Sequence, residues 1–325
     1  MTPSYLKREQ LAHLPTPIEP MLRLTAHLHG PELWIKRDDQ TGLAGGGNKT
    51  RKLEFLLAEA LKQGCNHVVT VGGIQSNHCR QTAAAAAHLG LGCSLVLGAD
   101  KPDTKQGNLL LSELLGAHLY YTQGRTRNEV ADEVMQQLQA MGHNPYLIPL
   151  GGSNVVGATA YVLAMQELMQ QLEAQQLNFD FIVFASSSGG TQAGMVLGAE
   201  IYGFKGRLLG ISIDNSAETL KTHVSALAIA ATTHLGLNPL PNLAQRVEVN
   251  DDYYEAGYAV LTNLEREAIK LVAQKEGILL DPVYTGRAMG ALIDLIHWGA
   301  FTRGQKILFW HTGGMPALFA YNQQL

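Results

Sequence analysis

Short runs rich in valine, isoleucine and leucine alternate along this chain with longer stretches of helical periodicity. That alternation constrains the fold more than any other feature. Apolar runs near Trp34, HVVTVGG, CSLVLG, HLYYTQ, PYLIPLGG, DFIVFASSSGG, RLLGISID and KILFWHTGG read as strands. Helical patterns run over Lys52 to Leu61, Gln75 to Leu89 and Asn128 to Met141, and another begins at Thr191. Strands separated by helices of this length predict βαβ units and parallel sheets. Buried parallel strands are apolar on both faces, which explains continuous apolar runs in place of alternation. One unit occurs twice: a strand, a loop of small residues and a helix, at VVTVGGIQSNHCRQTAAAAA and at FIVFASSSGGTQAGMVLGAE. Ligands in open α/β sheets gather at such loops, at the carboxyl ends of the strands. Two copies therefore predict two α/β lobes around a shared cleft.

Composition excludes several other classes. The 325 residues suffice for one large or two ordinary domains. Apolar residues are 46% and charged residues 16%, which argues against disorder. The formal net charge of −4 gives no electrostatic footprint for nucleic acid. No window approaches the ~18 uninterrupted apolar residues of a membrane span. The opening MTPSYLKREQLAHLPTP lacks an apolar leader core. Cys65, Cys79 and Cys93 are odd in number and form no CxxC pair. They point to the cytoplasm and to neither disulfides nor zinc.

Four segments carry chemistry. In IKRDDQTGLAGGGNKTRKLE, Lys49 follows Asn48 and a triple glycine, and Lys52 lies three residues on. Glycines admit close approach of a flat ligand, and a lysine there is a phosphate-binding charge, a Schiff-base nucleophile or a solvated surface group. The segment nearly spells a nucleotide-binding GxxxxGK[ST] loop, but Asn48 shifts the lysine by one residue. In GGIQSNHCRQ, Ser76, Asn77 and His78 open a helix, where free N–H groups attract an anion such as a carboxylate. A helix cap alone accounts for one of these three polar residues. In ASSSGGTQAG, small residues again join strand to helix and make a phosphate cradle or a plain tight turn. LLDPVYTGRAMG and HTGG supply Tyr284, Thr285 and Thr312, and Tyr258 precedes a further helix; taken singly, these read as loop and packing residues.

In order, LPTPIEP, IKRDD, GGGNKTRKLEFL, QSNHCRQTAA, LGGSN, SSGGTQAG, DPVYTGRAMG and HTGG cover nearly the whole chain. The set resembles the fold-type II pyridoxal-phosphate enzymes, the tryptophan synthase β family, and within it the 1-aminocyclopropane-1-carboxylate deaminase and D-cysteine desulfhydrase branch. The resemblance implies two open, mostly parallel twisted α/β domains with the cofactor between them. Residues 1–53 plus 154–325 would form the larger domain, and residues 54–153 an inserted smaller one. Lys49 would carry pyridoxal phosphate covalently and Asn77 would hold its phenolic oxygen. Lys52, Ser188, Gly189, Gly190 and Thr191 would take the phosphate. Ser76, with Asn77 and His78, would bind the substrate beside its carboxylate and α-carbon, Tyr258 and Tyr284 would line the substrate face, and either Lys49 or Ser76 would be the base.

Cyclopropane-opening members carry glutamate and leucine where this chain has Thr285 and Thr312. Beside the ring nitrogen, hydroxyls leave a weaker electron sink than a carboxylate does. That favours elimination of a good sulfur leaving group, so the resemblance implies a D-cysteine desulfhydrase-like lyase. An L-cysteate sulfo-lyase shares the threonine pair and is the alternative, ahead of the deaminase. A homodimer is implied as well. A non-catalytic phosphate-ligand or nucleotide-binding protein is the reading from a different class.

Overall fold

The structure, a computed structural model, describes residues 7–325. The reading of the chain's start as leaderless, and the first part of the span 1–53, fall partly outside these residues.

Among the described residues, ten strands form two sheets. The larger has the order β1-β2-β10-β7-β8-β9, from β1 (Ile18–Pro20), β2 (Glu32–Arg37), β7 (Phe181–Ser186), β8 (Arg207–Ser212), β9 (Glu248–Asn250) and β10 (Lys306–His311). Only β1 runs antiparallel, against β2. The smaller is fully parallel, with the order β5-β4-β3-β6, from β3 (His67–Gly72), β4 (Gly92–Leu97), β5 (His118–Tyr121) and β6 (Pro145–Ile148). The expected α/β architecture of two open, mostly parallel sheets is therefore what the chain forms.

Helices cover both faces of each sheet. They are α1 (Leu22–Leu28), α2 (Asn48–Lys62), α3 (Asn77–His88), α4 (Gly107–Leu114), α5 (Arg127–Ala140), α6 (Val155–Gln175), α7 (Gly190–Tyr202), α8 (Ala217–His234), α9 (Asn263–Glu276) and α10 (Thr285–His297). On β7, Ile182 and Phe184 pack with residues of α6, α7 and α8, while Phe181 and Val183 pack with residues of α9 and α10. Successive side chains on a strand point to opposite faces, so covering both faces requires the unbroken apolar run.

Helix α2 begins at Asn48, four residues before the periodic pattern does. Its apolar repeat starts only at Leu53, but tertiary bonds fix the turn before it. Asn48 N–H donates to the Thr312 carbonyl at 3.0 Å, and the Arg51 guanidinium reaches Asp38 and Glu167. Lys49 and Lys52 therefore share the first turn of one helix, and residues three apart lie on one face. Helix α3 starts at Asn77 and not at Gln75, because Ser76 is its cap: the Ser76 hydroxyl accepts from Cys79 N–H at 3.2 Å.

Candidate active site

The N-termini of α2, α3 and α7 converge on one cavity of about 210 Å³. Its walls come from the ends of β3, β7 and β10 and the loops beyond them, with Asn48, Lys49, Ser76, Asn77, His78, Ser188, Gly189, Thr191, Tyr258, Tyr284 and Thr312 all lining it. Three helix N-termini, each with unpaired N–H groups and a positive dipole end, make a strongly anion-attracting space.

The turn after β6 is the surface on which the lysines rest. Lys49 Nζ donates to the Gly151 carbonyl at 3.3 Å, and Lys52 Nζ reaches the same oxygen at 3.1 Å and Ser153 Oγ at 3.4 Å. Gly151 has φ +63, and a Cβ there would stand 2.3 Å from Ser188 Oγ and 3.2 Å from Lys49 Nζ, so only glycine fits. Among the described residues neither amine has a carboxylate partner. Burial lowers the Lys49 pKa to about 8. Burial, then the neighbouring Lys49, pushes Lys52 well below the ordinary ammonium value. A half-buried and a fully buried amine on one carbonyl without a counter-charge are a site for an anion.

Across the cavity, Ser188 Oγ lies 2.8 Å from Ser153 Oγ. Thr191 Oγ1 accepts from Asn48 Nδ2 at 3.0 Å, which ties the start of α7 to the start of α2. Gly190 N–H donates to Ser153 Oγ at 3.1 Å. These hydroxyls and helix-end amides form a cradle beside the two amines.

On the α3 side, Asn77 Oδ1 accepts from Asn108 Nδ2 at 2.8 Å. That bond fixes the amide and leaves its Nδ2 as the donor for a ligand. The Tyr258 and Tyr284 hydroxyls are 2.8 Å apart, and a Cβ on Gly73 would lie 3.3 Å from the Tyr258 ring. The phenol of Tyr258 is thus wedged between Gly73 and Tyr284, although 39% of the residue is exposed. Burial raises the Tyr258 pKa to about 12, so its proton stays on the oxygen at neutral pH.

Three expected residues do not reach the cavity wall: Lys52, Gly190 and Thr285. Lys52 is fully buried behind the Gly151–Ser153 turn. Thr285 is fully buried too, and its hydroxyl donates to Asp281 Oδ1 at 2.8 Å.

The sequence reading missed several supports. Asn108 also accepts from the buried Arg80 guanidinium at 2.8 Å, and Arg80 in turn donates to the Gly46 carbonyl at 2.6 Å. Gly47 has φ +130, and a Cβ there would collide with Gln81 Nε2, which also donates to the Gly46 carbonyl. Arg80 and Gln81 stand in the quoted QSNHCRQTAA motif, so a signal for them existed; Asn108 lies in a segment with none. Arg127 and Asp214 also line the cavity.

The chain is similar to known proteins over nearly its whole length. The sequence profile described as "Pyridoxal-phosphate dependent enzyme" matches residues 9–313. The D-cysteine desulfhydrase of Klebsiella pneumoniae (strain 342) is 44% identical over 325 residues, covering 98% of this chain and 97% of that protein. The D-cysteine desulfhydrase of Salmonella typhi is 42% identical over 321 residues, covering 97% and 96%. A crystal structure described as an ACC deaminase homologue superposes with a TM-score of 0.90 at 37% identity, over 99% of this chain and 96% of that one. A profile match across most of the chain, with relatives this similar over nearly full length, places the protein in the family of pyridoxal-phosphate-dependent enzymes.

Proposed function

We propose that this chain is a carbon–sulfur lyase that converts D-cysteine and water to pyruvate, hydrogen sulfide and ammonia. The carrying observation is the Lys49 amine, half-buried at the cavity wall without a carboxylate, between an anion cradle and the capped start of α3. The relatives' activity supports the substrate.

The residues present fit pyridoxal phosphate. The uncompensated amines and the Ser188, Gly189, Gly190 and Thr191 cradle suit its phosphate, with Lys52 adding charge from behind the wall. Asn77 Nδ2 suits its phenolic oxygen, and Thr312 lines the cavity while Thr285 is buried against Asp281. When bound through Lys49, the cofactor supplies an electron sink for negative charge at the substrate's α-carbon.

The chain's own groups do the rest. The free N–H groups at the start of α3 orient the substrate carboxylate. Lys49 takes the α-proton. Ser76 is the weaker candidate for base, because a neutral hydroxyl is far less basic than an amine, and its oxygen caps α3 by accepting from Cys79 N–H. Tyr258 and Tyr284 hold a proton at the substrate face, where the sulfur departs.

Arg127 favours the L-cysteate reading as a second. It is exposed, lines the cavity and has no hydrogen-bond or ion-pair partner among the described residues, so it suits an anionic sulfonate. Residues 54–153 form the inserted unit in this proposal, a division supported by the smaller sheet lying wholly between His67 and Ile148. Homodimerisation is supported by an apolar face around Pro316 that exposes Leu110, Leu114 and Phe319. Three free, buried cysteines support a cytoplasmic location.

The test is side-by-side turnover of D-cysteine, L-cysteate, β-chloro-D-alanine and aminocyclopropane carboxylate by the cofactor-loaded protein. D-cysteine should give pyruvate and sulfide in equal amounts with a higher kcat/KM than L-cysteate or aminocyclopropane carboxylate. Faster sulfite release from L-cysteate, or no pyruvate from D-cysteine, would reject the assignment.

A further inference from the structure

His78 is 3% exposed and lines the cavity. Its Nε2 lies 2.9 Å from Thr70 Oγ1 on β3, and that hydroxyl lies 2.8 Å from the Ile148 carbonyl oxygen. A carbonyl only accepts, so the hydroxyl proton goes to Ile148 and its lone pair faces the ring. The network thereby assigns the ring proton to Nε2. Nδ1 is left with a lone pair, buried and without a hydrogen-bond partner. Native structures rarely leave such an atom unpaired without a use for it.

The ring shares its wall with both lysines. A Cβ on Gly152 would stand 3.5 Å from His78 Cε1 and 3.6 Å from Lys52 Cδ, and one on the adjacent Gly151 would stand 3.2 Å from Lys49 Nζ. Burial first, then the Lys49 and Lys52 charges, holds the imidazole pKa well below its ordinary value. The ring stays neutral, so Nδ1 remains an acceptor.

A neutral amine has two N–H groups and one lone pair. The Gly151 carbonyl takes one N–H of Lys49. With the second taken as well, the direction of the lone pair is set. We infer that His78 is a positioning residue whose Nδ1 accepts the second N–H of the Lys49 amine once substrate has freed it, turning its lone pair toward the substrate's α-carbon. This rests on the reading of Lys49 as the base.

The test uses holoenzyme and three variants. His78→Leu removes the acceptor, His78→Asn keeps an oxygen close to the position of Nδ1, and Thr70→Val removes the hydroxyl that pins the ring without touching the cavity. Misorientation of a reacting group costs on the order of 10²-fold in rate. His78→Leu should lower kcat by about that factor with KM little changed, and the isotope effect with α-deuterated D-cysteine should grow as proton removal becomes slow. His78→Asn should recover most of the loss, and Thr70→Val should reproduce part of it. Nitrogen-15 NMR of the unaltered holoenzyme should show Nε2 protonated and Nδ1 bare near neutral pH. A His78→Leu enzyme with unchanged kcat and isotope effect, or a proton on Nδ1, overturns the assignment. Should His78→Leu fail to hold the cofactor, Thr70→Val and the NMR spectrum decide the question. A wild-type protein that turns over L-cysteate and not D-cysteine rejects the substrate reading alone, and the isotope effect is then read with that substrate.

Discussion

At the scale of single residues, the site is defined by two ammonium groups one helical turn apart. Lys49 and Lys52 both donate to the Gly151 carbonyl, and no acidic side chain among the described residues pairs with either. Burial of unpaired charge is unfavourable, so both amines lose their protons more readily than exposed lysines do. Burial lowers the Lys49 pKa from 10.5 to about 8, so below that pH its amine is mainly protonated and has no lone pair for an aldehyde. Cofactor capture by the cofactor-free protein should therefore accelerate roughly tenfold per pH unit on the acid side and level off above about pH 8. Stopped-flow absorbance measures this directly. A flat profile, or a rise that continues to the ordinary lysine value of 10.5, would contradict the burial of this amine.

At the scale of elements, Arg287 joins the segment that carries Tyr258 to the helix that follows Tyr284. Its guanidinium donates to Glu265 at 2.6 Å and to the carbonyls of Ile213, Gly257 and Val260. Both members of the ion pair are 1% exposed. Arg287→Leu would strand a buried carboxylate and release the Gly257–Val260 loop. Breaking one side of a buried pair costs about 3–5 kcal/mol, so the melting temperature should fall clearly and tyrosine positioning should be lost with it. Denaturant unfolding checks the value; a loss under about 1 kcal/mol, the size of a surface pair, would contradict it.

None of this bracing was legible in the sequence, because Arg287 and Glu265 meet only through tertiary packing. The strands were legible, since a parallel strand covered on both faces must be apolar throughout. Helix starts were less so: the first turn of α2 is fixed by bonds to Thr312, Asp38 and Glu167, not by its own periodicity. The quoted loops marked much of the cavity wall, since glycines and small hydroxyl residues announce backbone-built sites. What Thr285 does was not legible, because the identity of the residue does not reveal that its hydroxyl is turned to Asp281.

At the scale of the whole molecule, strand ends of both sheets line one cavity, and α2 packs against α3 of the smaller unit and α6 of the larger. Its first turn presents Lys49 and Lys52 toward the site and Arg51 away from it, toward Asp38, at 2.8 Å, and Glu167, at 2.9 Å. Asp38 is fully buried and also accepts from the Tyr161 hydroxyl at 2.5 Å and the Trp310 indole at 2.8 Å. Burial opposes its ionisation, but Arg51 and then Lys36 hold its pKa below the usual carboxylate range. Lys49, the lysine proposed to react, thus stands on a braced helix end, one turn from a second amine. Borohydride reduction of the cofactor-loaded protein, followed by peptide mass mapping, tests the choice between the two amines most directly. A single pyridoxyl adduct on Lys49 is expected, and an adduct on Lys52, or no adduct at all, would overturn the assignment of Lys49.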